Sequence, residues 1–126
     1  HGFESWSNFP RELDRLLDLV GDTGAPATLF VSGDRHFSEI SEPNVEGRRL
    51  IDLTASSVNI PYPAPTPTPN RFRVGEYYLK SNVVHLSLDA QPRPEIAAEI
   101  IDTNGSVVAS QRFRWDDGRG WTLPGR

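Results

Sequence analysis

A run of alternate prolines is the strongest constraint on how this chain can fold. From Pro61 to Pro69 the sequence is Pro-Tyr-Pro-Ala-Pro-Thr-Pro-Thr-Pro. Each proline fixes its own φ and lacks a backbone N–H, so the run excludes both an α-helix and a central strand. We therefore predict an extended, polyproline-like connection at the surface over residues 61–80, with an interdomain linker as the alternative.

An amphipathic helix is predicted ahead of this connection. Pro10 suits the first helical turn, where its missing N–H would have no partner, and Gly21 suits the end of a helix. Between them, apolar residues recur at the spacing of a single helix face, namely Leu13, Leu16, Leu17 and Val20. We expect this face to cover an apolar surface.

Two apolar runs after the helix predict strands. Ala27–Ser32 has no clean alternation, which is typical of a strand buried on both faces, and Arg48–Thr54 is the second run. A helix, a short loop and a buried strand form half of an α/β unit, so residues 1–60 are predicted to be an α/β part with a parallel-type strand. Such a half-unit cannot cover both faces of its sheet, so we expect it to need partner strands and helices that are not in this sequence.

The pattern changes to antiparallel strands after the proline-rich connection. Val83–Leu88 alternates between apolar and more polar positions. Asn104-Gly105 separates the strand-like runs Glu95–Ile101 and Val107–Trp115, and Asn-Gly in this position is the strongest short-range signal of a β-hairpin. We assign residues 81–115 to an antiparallel β part.

Length and composition limit the class of protein. The chain has 126 residues, which suits one domain or a piece of one, and residues 116–126 are predicted to be a loose tail. The formal charge of -4 does not indicate the basic surface that is typical of nucleic-acid-binding proteins. The absence of cysteine excludes disulfides and thiolate metal sites. No apolar run approaches the length of a membrane span.

The segment after the first strand carries the candidate chemistry. Asp34 and His36 follow Gly33 at the carboxyl end of a predicted strand, where sites collect in open α/β sheets. If the backbone stays extended, side chains at i and i+2 point the same way, and a carboxylate and an imidazole suit Zn²⁺, Mn²⁺ or Fe. The alternative is that Asp34 caps a turn and His36 is an ordinary surface residue.

Three further features of the sequence have two interpretations each. Arg35 either stabilises phosphate charge or forms a structural salt bridge, and Glu39 either orients His36 or is solvated. A polar cluster after the second strand either lines the same site or forms turns, namely Ser56, Ser57 and Asn59. His85 lies within a strand, and we predict a structural role on the more polar sheet face.

The block Gly33-Asp34-Arg35-His36-Phe37-Ser38-Glu39, with supporting blocks along nearly the whole chain, resembles the alkaline phosphatase D-like (PhoD-like) family of calcineurin-type metallophosphoesterases. The likeness is to the C-terminal portion of that family. The supporting blocks are Trp6, Phe9–Leu13, Leu16–Leu17, Leu53–Ser57, Ser81–Leu86 and Asp102–Gly105.

The resemblance implies that residues 1–126 are the C-terminal part of a calcineurin-like αββα sandwich. It implies metal-dependent hydrolysis of phosphate mono- or diesters, with Asp34 and His36 as metal ligands and Asp34, Arg35 and His36 as catalytic residues. The metals would be Fe, Ca, Mn or Zn, and export to the periplasm or the extracellular space is favoured.

The family's upstream Gly-Asn-His-type motif is not in this sequence, so we expect the chain alone to be inactive. The N-terminal part of the same domain, or a second chain, would complete the site. A non-catalytic β-rich binding module is the alternative function.

Overall fold

A computed structural model of the chain describes residues 6–23, 28–45, 47–63, 69–90 and 92–124. These residues form an α/β structure dominated by strands, with one α-helix, so the predicted fold class is confirmed at that level. The elements are α1 (Pro10–Asp22), β1 (Leu29–Ser32), β2 (Ser38–Ser41), β3 (Asn44–Val45), β4 (Arg48–Arg49), β5 (Ile51–Ala55), β6 (Asn82–Asp89), β7 (Glu95–Asp102), β8 (Val107–Asp116) and β9 (Gly120–Thr122).

The strands form two sheets. The smaller sheet has the order β1-β5-β2, and the larger has the order β3-β4-β9-β8-β7-β6. β1 pairs with β5 in parallel, as predicted for the first strand, whereas β2 pairs with β5 antiparallel. Consequently β1 and β5 end at the same edge of the smaller sheet.

The predicted strand Arg48–Thr54 is interrupted at Leu50. Residues before the interruption belong to the larger sheet as β4, and residues after it belong to the smaller sheet as β5. Leu50 is only 3% exposed, and its N–H donates to the carbonyl of Pro43 over 2.9 Å. A buried residue with a satisfied backbone thus carries the chain from one sheet to the other.

A single hydrophobic cluster joins the two sheets. Burying a large apolar side chain contributes about 1.5–3 kcal/mol, so this cluster dominates the stability of the fold. From the smaller sheet it takes Ile40, Ile51 and Leu53, and from the larger sheet and the residue after β9 it takes Ile96, Ala98, Phe113, Trp121 and Leu123.

The Asn104-Gly105 hairpin is confirmed between β7 and β8. Gly105 has a φ of 79°, which glycine adopts at little cost. The carboxylate of Asp102 accepts hydrogen bonds from the N–H groups of Ser106 and Asn104, both over 2.9 Å. These bonds stabilise the ionised carboxylate and lower the pKa of Asp102.

The prediction of a loose tail over residues 116–126 is wrong for its central part. β9 lies between β4 and β8, and Trp121 and Leu123 are buried. The ring of Trp121 also packs edge-on against Trp115, with centroids 5.6 Å apart. Two apolar residues at i and i+2 are enough to bury one face of a short strand, despite the polar, glycine-rich composition around them.

The prediction that the first strand is buried on both faces is also wrong. Ala27 lies outside the described residues, and within β1 Val31 is 64% exposed, so the described elements do not cover that face of the strand. The helix is confirmed from Pro10, but none of its residues is buried. Its apolar face makes at most isolated contacts with the described strands. The predicted packing of the helix face against an apolar surface is therefore not found within the described residues.

The proline-rich connection contributes to the smaller sheet. Residues 64–68 lie outside the described part, but the residues that follow run along β2. Ser38 and Tyr78 exchange backbone hydrogen bonds of 2.9 and 2.8 Å, and the N–H of Val74 donates to the carbonyl of Ile40. The connection therefore covers the edge of β2, which the sequence did not predict.

Candidate functional site

Two loops meet where the parallel strands β1 and β5 end. The backbone N–H of His36, after β1, donates to the hydroxyl oxygen of Ser56, after β5, over 2.9 Å. The Nδ1 atom of His36 lies 3.1 Å from the carbonyl oxygen of Ile60 in the same second loop. The structure therefore places Ser56 against the Asp34–His36 segment, as one interpretation of the polar cluster predicted.

The backbone of this segment is turned rather than extended. Asp34 has a φ of 66° and His36 a φ of 59°, both in the left-handed region. The prediction that an extended chain directs these two side chains to one side is therefore wrong. A non-glycine residue in this region costs about 1–2 kcal/mol, although aspartate and histidine tolerate it better than most. Such residues cluster at functional sites, where the surrounding structure holds them in place.

The three side chains of this segment differ in their surroundings. Asp34 is exposed and has no hydrogen bond or ion pair with another described residue. The guanidinium of Arg35 lies over the ring of Phe37, 5.7 Å from its centroid. Phe37 is buried and packs edge-on against Tyr62, 5.3 Å away. Arg35 is thus anchored by a cation–π contact that neither sequence interpretation included.

Asn82, at the start of β6, holds the base of the site together. Its side-chain oxygen accepts a hydrogen bond of 2.7 Å from the hydroxyl of Ser38, and its side-chain nitrogen donates to the carbonyl of Lys80. Its backbone N–H donates to the carbonyl of Ser57 over 2.9 Å. Asn82 is 4% exposed, and it connects β2, the loop after β5 and β6. This role was not predicted from the sequence, because Ser38 and Ser57 are distant from Asn82 along the chain.

Both sequence interpretations of Glu39 are wrong. Glu39 is 4% exposed and does not contact His36; its carboxylate instead accepts hydrogen bonds from Arg73 Nε over 2.7 Å and from Asn70 over 3.0 Å. In the register of β2 with β5, Glu39 is opposite Thr54. Asp52 is two residues before Thr54 in β5, so its side chain lies on the same face of the sheet as Glu39. The buried Glu39 and the half-buried Asp52 therefore lie on one face of the smaller sheet.

The carboxyl of Asp52 is the titratable group most affected by this arrangement. Burial raises the pKa of Asp52 above its ordinary value of 3.8, and the nearby negative charge of Glu39 raises it further. The folded state therefore disfavours the ionised form. The contribution of Asp52 to stability is most favourable below pH 3.8 and is lost as the pH rises through the raised value.

We accordingly expect Asp52→Asn to increase the free energy of unfolding at neutral pH. Asparagine removes the charge that burial and Glu39 disfavour, and it keeps the shape of the side chain. The gain should disappear in acid, where aspartate is protonated in both the folded and the unfolded state. Urea unfolding across this pH range measures the difference; an equal or lower stability at neutral pH would contradict the expectation.

Among the remaining candidates, His85 lies apart from the two loops, whereas Ser57 and Asn59 belong to the loop after β5. His85 is exposed on β6, and its Nδ1 is 3.2 Å from a carboxylate oxygen of Glu99 on β7, in keeping with the structural role predicted for it. Ser57 is buried, and its hydroxyl has no hydrogen-bond partner within the described residues. Asn59 is exposed.

The predicted ligands Asp34 and His36 would supply one oxygen and one nitrogen donor for a metal, but their left-handed backbone removes the reason to expect both side chains on one side. This pair fits Zn, Mn or Fe, which accept mixed ligands, but a protein metal site needs three or four ligands. Among the residues that the structure describes, no three histidine or acidic side chains form a metal-binding group. The contact of His36 Nδ1 with the backbone carbonyl of Ile60 could not be predicted from the sequence, because every residue has the same backbone carbonyl.

The comparisons with known proteins add no relative. No family model matches the chain, and neither does any curated protein or solved structure. No helix in the described part of the chain is long and apolar enough to cross a membrane.

Proposed function

We propose that this chain supplies part of the active site of a metal-dependent phosphoric ester hydrolase of the PhoD-like type, acting on phosphate mono- or diesters. The observation that carries the proposal is the fixed loop Gly33–His36. Two of its non-glycine residues have left-handed backbone conformations, and the loop is hydrogen-bonded to its neighbour at the carboxyl end of two parallel strands. The sequence block that resembles the family spans the same loop.

The chemistry follows from the residues at this edge. His36 and Asp34 would hold a metal ion, for which Fe, Ca, Mn and Zn are the candidates. Bound metal ions supply a hydroxide nucleophile and neutralise phosphoryl oxygens. Arg35 brings a permanent positive charge next to these residues, and its stack on Phe37 restricts where that charge can lie. The guanidinium would bind the phosphate group of the ester.

The site needs ligands beyond those of this chain. We propose that the N-terminal part of the same domain, or a second chain, provides them, and that the whole is a calcineurin-like αββα sandwich. The exposed outer face of β1 and the apolar face of α1 are consistent with a further layer. The same family resemblance favours a periplasmic or extracellular location.

The test uses the chain joined to the polypeptide that completes the site. We expect His36→Ala to lower turnover of nitrophenyl phosphate esters, and metal content with it, by more than about tenfold, since even groups that only support a metal ligand change affinity by about 10–100-fold. His85→Ala is the matched control, because His85 is a solvent-exposed histidine that pairs with Glu99. Turnover and metal content should be unchanged in the control.

Unchanged turnover and unchanged metal content in His36→Ala would exclude the assignment. Metal uptake without any hydrolysis of mono- or diesters by the completed protein would favour the binding-module alternative. The 126-residue chain alone should not hydrolyse these esters, and robust metal-dependent turnover by it would contradict the proposed division of the site.

A further inference from the structure

His36 is held at two points by the loop after β5. Its backbone N–H donates to the hydroxyl oxygen of Ser56 over 2.9 Å, and its ring nitrogen Nδ1 is 3.1 Å from the carbonyl oxygen of Ile60. The first contact fixes the backbone of a residue with a φ of 59°, and the second fixes the orientation of its ring. Both distances are ordinary for hydrogen bonds.

The contact with Ile60 determines where the imidazole carries its proton. A carbonyl oxygen only accepts hydrogen bonds, so Nδ1 must be the donor. In the neutral ring the second nitrogen, Nε2, then has the free lone pair. A neutral imidazole in water prefers the opposite arrangement, with the proton on Nε2, so the loop reverses the intrinsic preference.

We infer that Ser56 and the carbonyl of Ile60 are positioning groups that hold His36 in the tautomer with the proton on Nδ1, so that Nε2 is presented as a donor atom. Ser56 acts through the backbone: its hydrogen bond keeps His36 in the left-handed conformation that directs Nδ1 to Ile60. Only one part of this inference rests on the proposed function, namely that the group bound by Nε2 is a metal ion. Metal-binding histidines are usually oriented in this way by a hydrogen bond from their other nitrogen.

The experiment measures the tautomer directly, by the nitrogen NMR shifts of the His36 ring in the metal-free chain at about pH 8, where an ordinary histidine is neutral. We expect the Nδ1-protonated form to predominate in the wild type. Ser56→Ala should shift the tautomer ratio toward the Nε2-protonated form by about fivefold, which is the size of one net hydrogen bond. Ser56→Thr keeps the hydroxyl and should restore the wild-type ratio.

Ser57→Ala is the matched control. Ser57 is the adjacent serine, it is buried, and its hydroxyl has no hydrogen-bond partner within the described residues. Its replacement should leave the ratio unchanged, whereas a general loosening of the loop would change the ratio in both alanine variants. A wild type with the proton mainly on Nε2, or a Ser56→Ala variant with an unchanged ratio, would overturn the inference.

The measurement needs neither metal nor phosphate ester, so its outcome is independent of the hydrolase proposal. The His36→Ala turnover experiment decides that proposal separately. A confirmed tautomer with no metal-dependent turnover would leave the positioning roles in place and remove the proposed use of Nε2.

Discussion

Glu39→Gln should lower the free energy of unfolding by about 3 kcal/mol, because it removes the buried carboxylate charge that pairs with the guanidinium of Arg73. Glu39 is 4% exposed, and its carboxylate binds Arg73 over 2.7 Å. Breaking a buried ion pair typically costs about 3–5 kcal/mol. We expect the lower end of this range, since Arg73 also stacks on Tyr77 and since Asp52 is relieved of a neighbouring negative charge.

The exposed pair of α1 provides the control. Arg15 and Glu12 are 3.1 Å apart, but their side chains are 77% and 63% exposed. Glu12→Gln should therefore change stability by less than about 0.5 kcal/mol. Urea unfolding at neutral pH compares the two variants.

A double variant then separates the charge from the packing. Glu39→Gln with Arg73→Met removes both charges of the buried pair and should recover part of the lost stability. A loss below about 0.5 kcal/mol in Glu39→Gln alone would show that the pair is not buried as described.

The sequence predicted the local elements better than their surroundings. The hairpin at Asn104-Gly105 and the start of α1 at Pro10 were predicted because they depend on residues with strong, local backbone preferences. Burial was predicted less well. The first strand was expected to be covered on both faces, but Val31 is exposed, because burial depends on which elements pack against a strand.

The polar residues show the same limit more clearly. Glu39 is three residues from His36 in sequence, yet its partner Arg73 lies 34 residues further on, and nothing local distinguishes it from a solvated glutamate. Asp34 and His36 were placed correctly at the end of a strand. Their left-handed backbone was not predicted, and the backbone N–H of His36 donates to Ser56 in a different loop, a contact that no local pattern indicates. Local pattern therefore located the candidate site but did not determine its geometry.

Gly120→Ala should be among the most destabilising substitutions in the chain, and Gly105→Ala separates the two causes. Both glycines have nearly the same left-handed φ, 80° and 79°. A Cβ at Gly105 would meet nothing within 4 Å, whereas one at Gly120 would lie 2.5 Å from the backbone oxygen of Arg49 and 3.0 Å from its nitrogen. Gly105→Ala should therefore cost only the conformational strain, about 1–2 kcal/mol.

For Gly120→Ala the steric conflict adds to that strain. Arg49 is the residue of β4 that pairs with Gly120 in β9, so relief of the conflict must separate these two strands. Overpacking of this kind costs about 1–3 kcal/mol more, and we expect a total loss of roughly 3–4 kcal/mol. Urea unfolding, followed by the fluorescence of the adjacent, buried Trp121, measures both variants. Equal losses in the two would mean that β4 and β9 do not approach as closely as the structure shows, and that β9 tolerates a side chain at its first residue.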